Sequence, residues 1–340
     1  MEVEGVGLGL GFRWLRVNYP LPCVLRPPLY RSFQFGILGS CNGLILISVD
    51  KGNLFLWNPT TRQAKKIASP ESYGFTDAWD FRCGYFIYGF GYDDSTDDYK
   101  IVCVFVLGPM KQRRTTTEIY SWRTNTWKKI ENFEKGVLVR CNFELGMFTK
   151  GKFVNGKLHW LTSPYKEDVY DDDEYLNNWE IVGFDLAEEK YEIVGRPQYL
   201  SSHNHCQPRL LELGGHLSLT CFNEESGMDV WVMTKYGETE SWVKFWTCPR
   251  GEMRIGTCPS WLTVENGDIE MCFPSPTGMR VVFCKGGSSR VSHKSRVDIV
   301  DPTHFNFHFE PNVYVESLVS PFGGDDEQLL SDQAKDNTTS

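Results

Sequence analysis

The chain has 340 residues, 41% of them hydrophobic and 14% aromatic, with 44 acidic against 35 basic side chains and a formal net charge of −9. This length is long for a single β-sandwich, and the acidic balance argues against nucleic acid as the main ligand, because phosphate binding needs a basic footprint. No apolar run reaches the roughly 20 residues of a membrane span, and the acidic start Met1-Glu2-Val3-Glu4 is unlike a signal peptide.

Residues 1–35 form a leader with Gly5, Gly7, Gly9 and Gly11 at one end and Pro20, Pro22, Pro27 and Pro28 at the other. These glycines follow no strand and lack the Gly-x-Gly-x-x-Gly spacing of a dinucleotide loop, and neither end favours a helix. From Gly36 a paired unit recurs: a strand with Asn-Gly or Gly-Gly at its mouth, then a hairpin with an aromatic at its turn. Cys41-Asn42-Gly43-Leu44 with Leu56-Trp57-Asn58-Pro59 is the first. Phe153-Val154-Asn155-Gly156 with Gly183-Phe184-Asp185 and Leu213-Gly214-Gly215-His216 with Val230-Trp231-Val232 repeat it.

The interval from Gly43 to Gly156 is about twice that from Gly156 to Gly215, so one unit is hidden inside it. Gly89-Phe90-Gly91-Tyr92, the strand 100–105 and the hairpin around Trp122 supply that unit. A weaker fifth begins at Trp261. Units of roughly 50 residues with four short strands predict an all-β propeller of four-stranded antiparallel blades over 36–322, and the repeat length favours this over a sandwich. The runs 44–49 and 101–107 are almost continuously apolar and read as inner strands, whereas Lys128-Lys129-Ile130 and Lys190-Tyr191-Glu192-Ile193 read as outer ones. Glu188-Glu189-Lys190 has helical propensity but falls at a hairpin turn in the repeat register. Trp57, Trp122, Phe184 and Trp231 are expected to pack between blades, so that truncating Trp57 or Trp122 to Ala costs about 3–5 kcal/mol. A strand near 313–319 is expected to help close the ring, and the polar, acidic tail 323–340 reads as disordered.

Eleven cysteines are an odd number without a Cys-x-x-Cys pair. Cys103, Cys221, Cys272 and Cys284 lie in apolar strands, where Cys is a small buried hydrophobe, which predicts a reducing compartment, cytoplasm or nucleus. Several patterns imitate sites. Gly39-Ser40-Cys41-Asn42-Gly43 has the form of a nucleophile elbow but leads into a strand instead of a helix, and Ser48-Val49-Asp50-Lys51 matches Ser-x-x-Lys without its companion motifs. His203-Asn204-His205-Cys206 lacks a fourth zinc ligand, and the acidic run 167–174 lacks the glycine of a calcium loop. Lys111-Gln112-Arg113-Arg114 reads as a solvated loop. No catalytic, cofactor or metal residue is assigned.

Taken together, Gly39-Ser40-Cys41-Asn42-Gly43-Leu44, Leu56-Trp57-Asn58-Pro59-Thr60-Thr61-Arg62, Tyr88-Gly89-Phe90-Gly91-Tyr92-Asp93, Asp97-Asp98-Tyr99-Lys100-Ile101-Val102, Val154-Asn155-Gly156-Lys157-Leu158-His159-Trp160 and Phe184-Asp185-Leu186 resemble the F-box-associated domain of plant F-box proteins. Tyr314-Val315-Glu316-Ser317-Leu318-Val319 is similar to its closing segment. The resemblance implies a kelch-like propeller that is not an enzyme. Such a domain captures a protein substrate for a Skp–cullin–F-box ubiquitin ligase, whose chemistry resides in other subunits. Two other readings stand beside it: a propeller enzyme, glycosidase- or lyase-like, which would converge carboxylates on the ring axis, and a truncated product with no independent ligase function. Partner contacts are expected on loops at one end of the ring. The candidates are the aromatic stretch Tyr73, Phe75, Trp79 and Phe81, and the acidic stretch with Tyr165, Tyr170, Tyr175 and Trp179.

An F-box docks the Skp adaptor through packed helices, and the leader offers no helix pair. The expectation is that residues 1–340 do not co-precipitate with purified adaptor, and that an added F-box restores binding. Micromolar or tighter binding by the chain as given would overturn it.

Overall fold

The computed structural model describes residues 6–8, 12–14, 35–49, 53–71, 84–107, 114–132, 137–138, 149–163, 179–201, 207–223, 227–249 and 315–322, and the backbone of strands between 261 and 298. A short hairpin, β1 (Val6–Leu8) with β2 (Phe12–Trp14), comes first. Five antiparallel sheets follow in chain order. The first is β3 (Phe35–Cys41), β4 (Leu44–Val49), β5 (Asn53–Asn58) and β6 (Gln63–Ile67), and the second β7 (Gly84–Asp93), β8 (Asp98–Leu107), β9 (Arg114–Ser121) and β10 (Thr126–Ile130). Two short strands, β11 (Val137–Leu138) and β12 (Thr149–Lys150), precede the third, built on β13 (Lys152–Val154), β14 (Lys157–Ser163), β15 (Glu180–Asp185) and β16 (Lys190–Val194). The fourth is β17 (Gln207–Leu213), β18 (His216–Asn223), β19 (Gly227–Met233) and β20 (Trp242–Pro249), and the fifth β21 (Trp261–Glu265), β22 (Asp268–Ser275), β23 (Gly278–Cys284) and β24 (Val291–Asp298). The expected propeller blades are present, including the hidden second and the weak fifth. One pairing breaks the antiparallel rule: β12 runs parallel to β7, on the free edge of the second blade.

Strand alternation shares each blade between two interfaces. In β8, Ile101, Cys103 and Phe105 join Leu44, Leu46, Leu54 and Leu56 of the first blade, while Val102, Val104 and Val106 join Trp160, Val182 and Phe184 of the third. Ile181 and Leu161 then face Leu217, Leu219 and Trp231 of the fourth. Period-two side chains that are apolar at every position therefore serve two cores at once, each full side-chain burial contributing about 1.5–3 kcal/mol. The strands that lie against their counterparts in neighbouring sheets are the first ones: β3 beside β7, β7 beside β13 and β14, β13 beside β17, β17 beside β21. The axis is thus lined by β3, β7, β13, β17 and β21. The almost continuously apolar 44–49 and 101–107 are second strands, a correction to their reading as innermost. Continuous apolarity marks burial on both faces, and this peaks inside a blade, not at the axis.

Where first strands converge, side chains must shrink. A Cβ on Gly89 would stand 2.7 Å from Leu158 Cδ1 and from Trp160 Cζ2, and one on Gly91 2.3 Å from Phe153 Cδ2, which explains the glycine spacing of Gly89-Phe90-Gly91. A repeated latch ties the outer strands. Trp127 at the start of β10 donates its indole N–H to the Ala68 carbonyl at 2.6 Å, and Trp242 at the start of β20 donates to Gly195 O at 2.7 Å. Each acceptor is the first residue past the outer strand of the preceding blade. Tyr191, second residue of β16, lies instead against the third strand of the second blade, its Oη 3.2 Å from Thr117 Oγ1.

The carboxy-terminal stretch 315–320 pairs in no ladder, so the expected closing strand is absent as such; it is a clasp across the first two blades. Fully buried Asn58 donates through Nδ2 to Ser317 O (3.0 Å) and Val319 O (2.7 Å) while Oδ1 accepts from the N–H of Thr60 (2.8 Å) and Thr61 (3.3 Å). All four hydrogen-bonding positions of the amide are used. Ser317 Oγ donates to Asn42 O at 2.8 Å, against Gly43, whose φ of +83° and missing Cβ both suit the contact. Trp122 Nε1 donates to Pro321 O at 2.8 Å.

Cys41, Cys103 and Cys248 are free and buried. Cys221 is buried too, but disulfide-bonded, which corrects its reading as a thiol. The tail 323–340 lies outside the described residues, and no helix among those described is long and apolar enough to cross a membrane.

Of the four hairpin aromatics, Phe184 and Trp231 fill blade interfaces, and Trp57 is buried on the first blade's opposite face with Ile45, Ile47 and Phe55. Trp122 is half-buried at the rim, so its expected cost falls. Denaturant unfolding should show Phe184→Ala losing about 3–5 kcal/mol and Trp122→Ala about 1–2 kcal/mol; equal losses would contradict the rim assignment. Asn58→Leu should lose about 3 kcal/mol and make proteolysis within 315–322 faster, because it strips partners from two carbonyls and two amides together. A loss below about 1 kcal/mol would show the clasp to be dispensable.

Candidate functional site: the two ends of the ring

Turns joining first to second and third to fourth strands all lie at one end, and this end carries most of the sequence motifs. Asn42-Gly43, Asn155-Gly156 and Gly214-Gly215 have positive φ at both positions, the two-residue hairpin that matches strand twist. Four longer turns share another design, an oxygen-bearing side chain at the entry and a left-handed residue at the exit. They run from Asn58 to Arg62, Asp93 to Asp97, Ser121 to Asn125 and Asp185 to Glu189. Asp93 accepts from Ser95 N (2.9 Å), and Asp185 from the N–H of Ala187 and Glu188 (both 2.9 Å). Glu188 and Glu189 therefore sit in a turn, as the repeat register required.

The charged motif residues join blades. Buried Lys100 reaches Asp93 Oδ2 (2.8 Å) in its own blade and donates to Leu186 O (2.7 Å) in the third, with Glu189 Oε1 at 3.4 Å. Burial alone would raise the Asp93 carboxyl, but hydrogen bonds from Lys100, Ser95 and Thr96 outweigh it and hold the group well below the usual carboxylate range. Asp98 accepts from Ser121 Oγ (2.6 Å) and Arg123 N (2.8 Å). Lys157 pairs with Glu192 (2.8 Å) and Asp185 (3.2 Å), and Trp160 donates to Tyr88 O at 3.2 Å. Residues that carry the family resemblance are thus engaged in holding turns and blades together.

The patterns that imitate catalysis resolve likewise. Cys41 ends β3 and is followed by a hairpin into β4, and burial, with help from Asp94, pushes its thiol up to about 12, far from a reactive thiolate. Of the carboxylates on axis-lining strands, Asp93 is committed to Lys100 and its turn and Glu212 accepts from Gly215 N at 2.6 Å, while the side chain of Glu265 on β21 lies outside the described residues. Among the described residues no group of three His, Cys, Asp or Glu could hold a metal ion. His203, His205, Cys206 and the acidic run 167–174 lie outside those residues.

So do Tyr73, Phe75, Trp79, Phe81, Tyr165, Tyr170 and Tyr175. Trp179 is described and is no exposed anchor: it is 4% exposed in the core between the third and fourth blades, with the Arg196 guanidinium 5.0 Å over its ring and donating to its carbonyl at 2.8 Å. The sequence placed it among loop aromatics, whereas it immediately precedes β15 and packs as core. The strand ends bounding the two candidate stretches are informative. β6 runs away from the clasped end and β7 runs towards it, and β14 and β15 do the same, so stretches 72–83 and 164–178 both depart from, and return to, the end opposite the clasp. Sequence alone could not show this, because it follows from the up-and-down order inside each blade.

A family model described as an F-box associated beta propeller domain matches residues 24–321. An F-box/kelch-repeat protein of Arabidopsis thaliana is 30% identical over 217 residues, covering 63% of this chain and 53% of that protein. F-box protein CPR1 of the same plant is 32% identical over 230 residues, covering 65% of this chain and 54% of its own length. The chain therefore spans about half the length of these curated relatives. A solved structure from a study of two prolyl endopeptidases has a TM-score of 0.44 at 12% identity, covering 79% of this chain and 37% of that one, a likeness too slight to carry any argument. With the family model spanning most of the chain and motif after motif found at the turns and joints of consecutive blades, this protein belongs to the F-box associated β-propeller family.

Proposed function

We propose that this chain is the substrate-recognition module of a plant F-box protein, selecting a protein target for a Skp–cullin–F-box ubiquitin ligase in the cytoplasm or nucleus. The observation that carries the reading is the division of labour between the two ends of the ring. The clasped end is held by Asn58, Ser317 and the interblade ion pairs. Both aromatic stretches connect strand ends at the other end, and connections tolerate changes of length and composition better than strands do. The Skp-family adaptor and the cullin are partners of the assembled F-box protein and are reached through an F-box, not through the propeller. The net charge of −9 supports a protein target in preference to nucleic acid.

The test is affinity purification from plant cells with mass spectrometry, comparing the chain with two versions in which 72–83 or 164–178 is replaced by Gly/Ser. A specific target should be captured by the parent and lost from at least one replacement, with the melting temperature shifted by less than about 3 °C. Capture surviving both replacements would remove this face as the recognition surface. A larger fall in melting temperature would assign the replaced stretch to the fold instead.

A further inference from the structure

His159, in β14, has its side chain fully buried at the joint between the third and fourth blades. Its Nδ1 faces Lys152 O at 3.1 Å, and its Nε2 faces Tyr236 Oη at 2.7 Å. Tyr236 belongs to the turn between β19 and β20, lies edge-on to the imidazole at 5.5 Å between ring centres, and also places Oη 3.1 Å from Glu192 Oε1 on β16. Three contacts need three hydrogens. A neutral imidazole and a phenol supply two.

The shortfall fixes the arrangement. A carbonyl only accepts, so the imidazole hydrogen sits on Nδ1 and Nε2 is a lone pair. Tyr236 then donates to His159 and has nothing left for Glu192. Glu192 is served from elsewhere, because Lys157 Nζ is 2.8 Å from the same Oε1. One added proton on Nε2 reverses the sense without moving a heavy atom: Nε2–H donates to Tyr236 Oη, and the phenolic hydrogen turns to Glu192.

We propose that the Tyr236 hydroxyl is a proton-driven rotor that keeps the third and fourth blades joined in both protonation states of His159, donating to the neutral imidazole and swinging to Glu192 when the imidazole is charged. The surrounding charges are consistent with it. Lys157 on the same strand opposes the imidazolium, Glu192 on β16 favours it, and Asp185 at the end of β15 shares Lys157. Lys152 on β13 offers its carbonyl, and Lys235 and Glu238, flanking Tyr236, pair with each other at 3.5 Å near the surface. Burial is the largest influence and holds His159 down at about 4. Its folded value lies below that of free imidazole, so stability still falls as the pH drops from about 6.5 towards 4. The rotor means that this fall comes without the joint opening.

The test is nitrogen-15 histidine NMR on the full chain. At pH 7 His159 should be the Nδ1–H tautomer, the minor form of free imidazole. Tyr236→Phe should lower its titration midpoint by about 0.5 pH unit or more, since it removes the Tyr236–Glu192 link that forms only with the charged imidazole. An Nε2–H tautomer at pH 7, or a wild-type midpoint in Tyr236→Phe, would overturn the proposal. The tautomer needs no acid and is read on the unsubstituted chain, so it decides the case if the chain unfolds before His159 titrates or if Tyr236→Phe does not fold.

Discussion

A four-stranded sheet of the kind repeated here has two apolar faces and no interior, so neither face is stable until another sheet covers it. That single constraint accounts for most of what is unusual in the sequence. It makes second strands such as β4 and β8 apolar along most of their length, because alternate residues feed different interfaces. It requires Gly89 and Gly91 on β7, where side chains of the first two strands of the third blade, Phe153, Leu158 and Trp160, press against the backbone. It also makes the joints between blades, not the blades themselves, the places where stability and order are decided.

Polar groups at those joints follow a common logic. Asn58, Lys100 and His159 are buried, and burying such groups costs free energy unless each hydrogen-bonding position finds a partner. Asn58 finds four, two of them on a segment some 260 residues away. Lys100 combines a carboxylate in its own blade with a backbone carbonyl in the next. Of these three, the His159 set is one hydrogen short when neutral, which is why it has two states where the other two have one. Directional bonds of this kind fix the angle between blades in a way that apolar contact, which is non-directional, does not.

The same accounting separates scaffold from recognition. Motifs rich in Asp, Lys, His and Trp attract catalytic readings, yet here their side chains close turns or join blades. A residue committed to a joint cannot be varied to suit a partner without loosening the ring. Connections tolerate variation better than strands do, and the alternation of strand direction puts the strand ends that bound two aromatic-rich connections away from the clasp.

The sequence by itself determined the fold class, the number of strands per unit and the turn chemistry, since Asn-Gly pairs and alternating apolar runs act over a few residues and need no distant partner. It also located the residues of the joints without revealing what they join. Lys100 and Leu186, Trp242 and Gly195, and Asn58 and Ser317 are far apart in the chain; the first two pairs meet because successive blades stack at fixed angles, and the third because the carboxy-terminal segment returns to the first blade. Tertiary structure alone decided that the apolar second strands are not innermost, that the carboxy-terminal segment clasps without joining a sheet, and that Trp179 belongs to the core. The physical reason is the same each time. Local pattern reports whether a residue is buried, and which partner buries it depends on contacts between segments that sequence spacing does not encode.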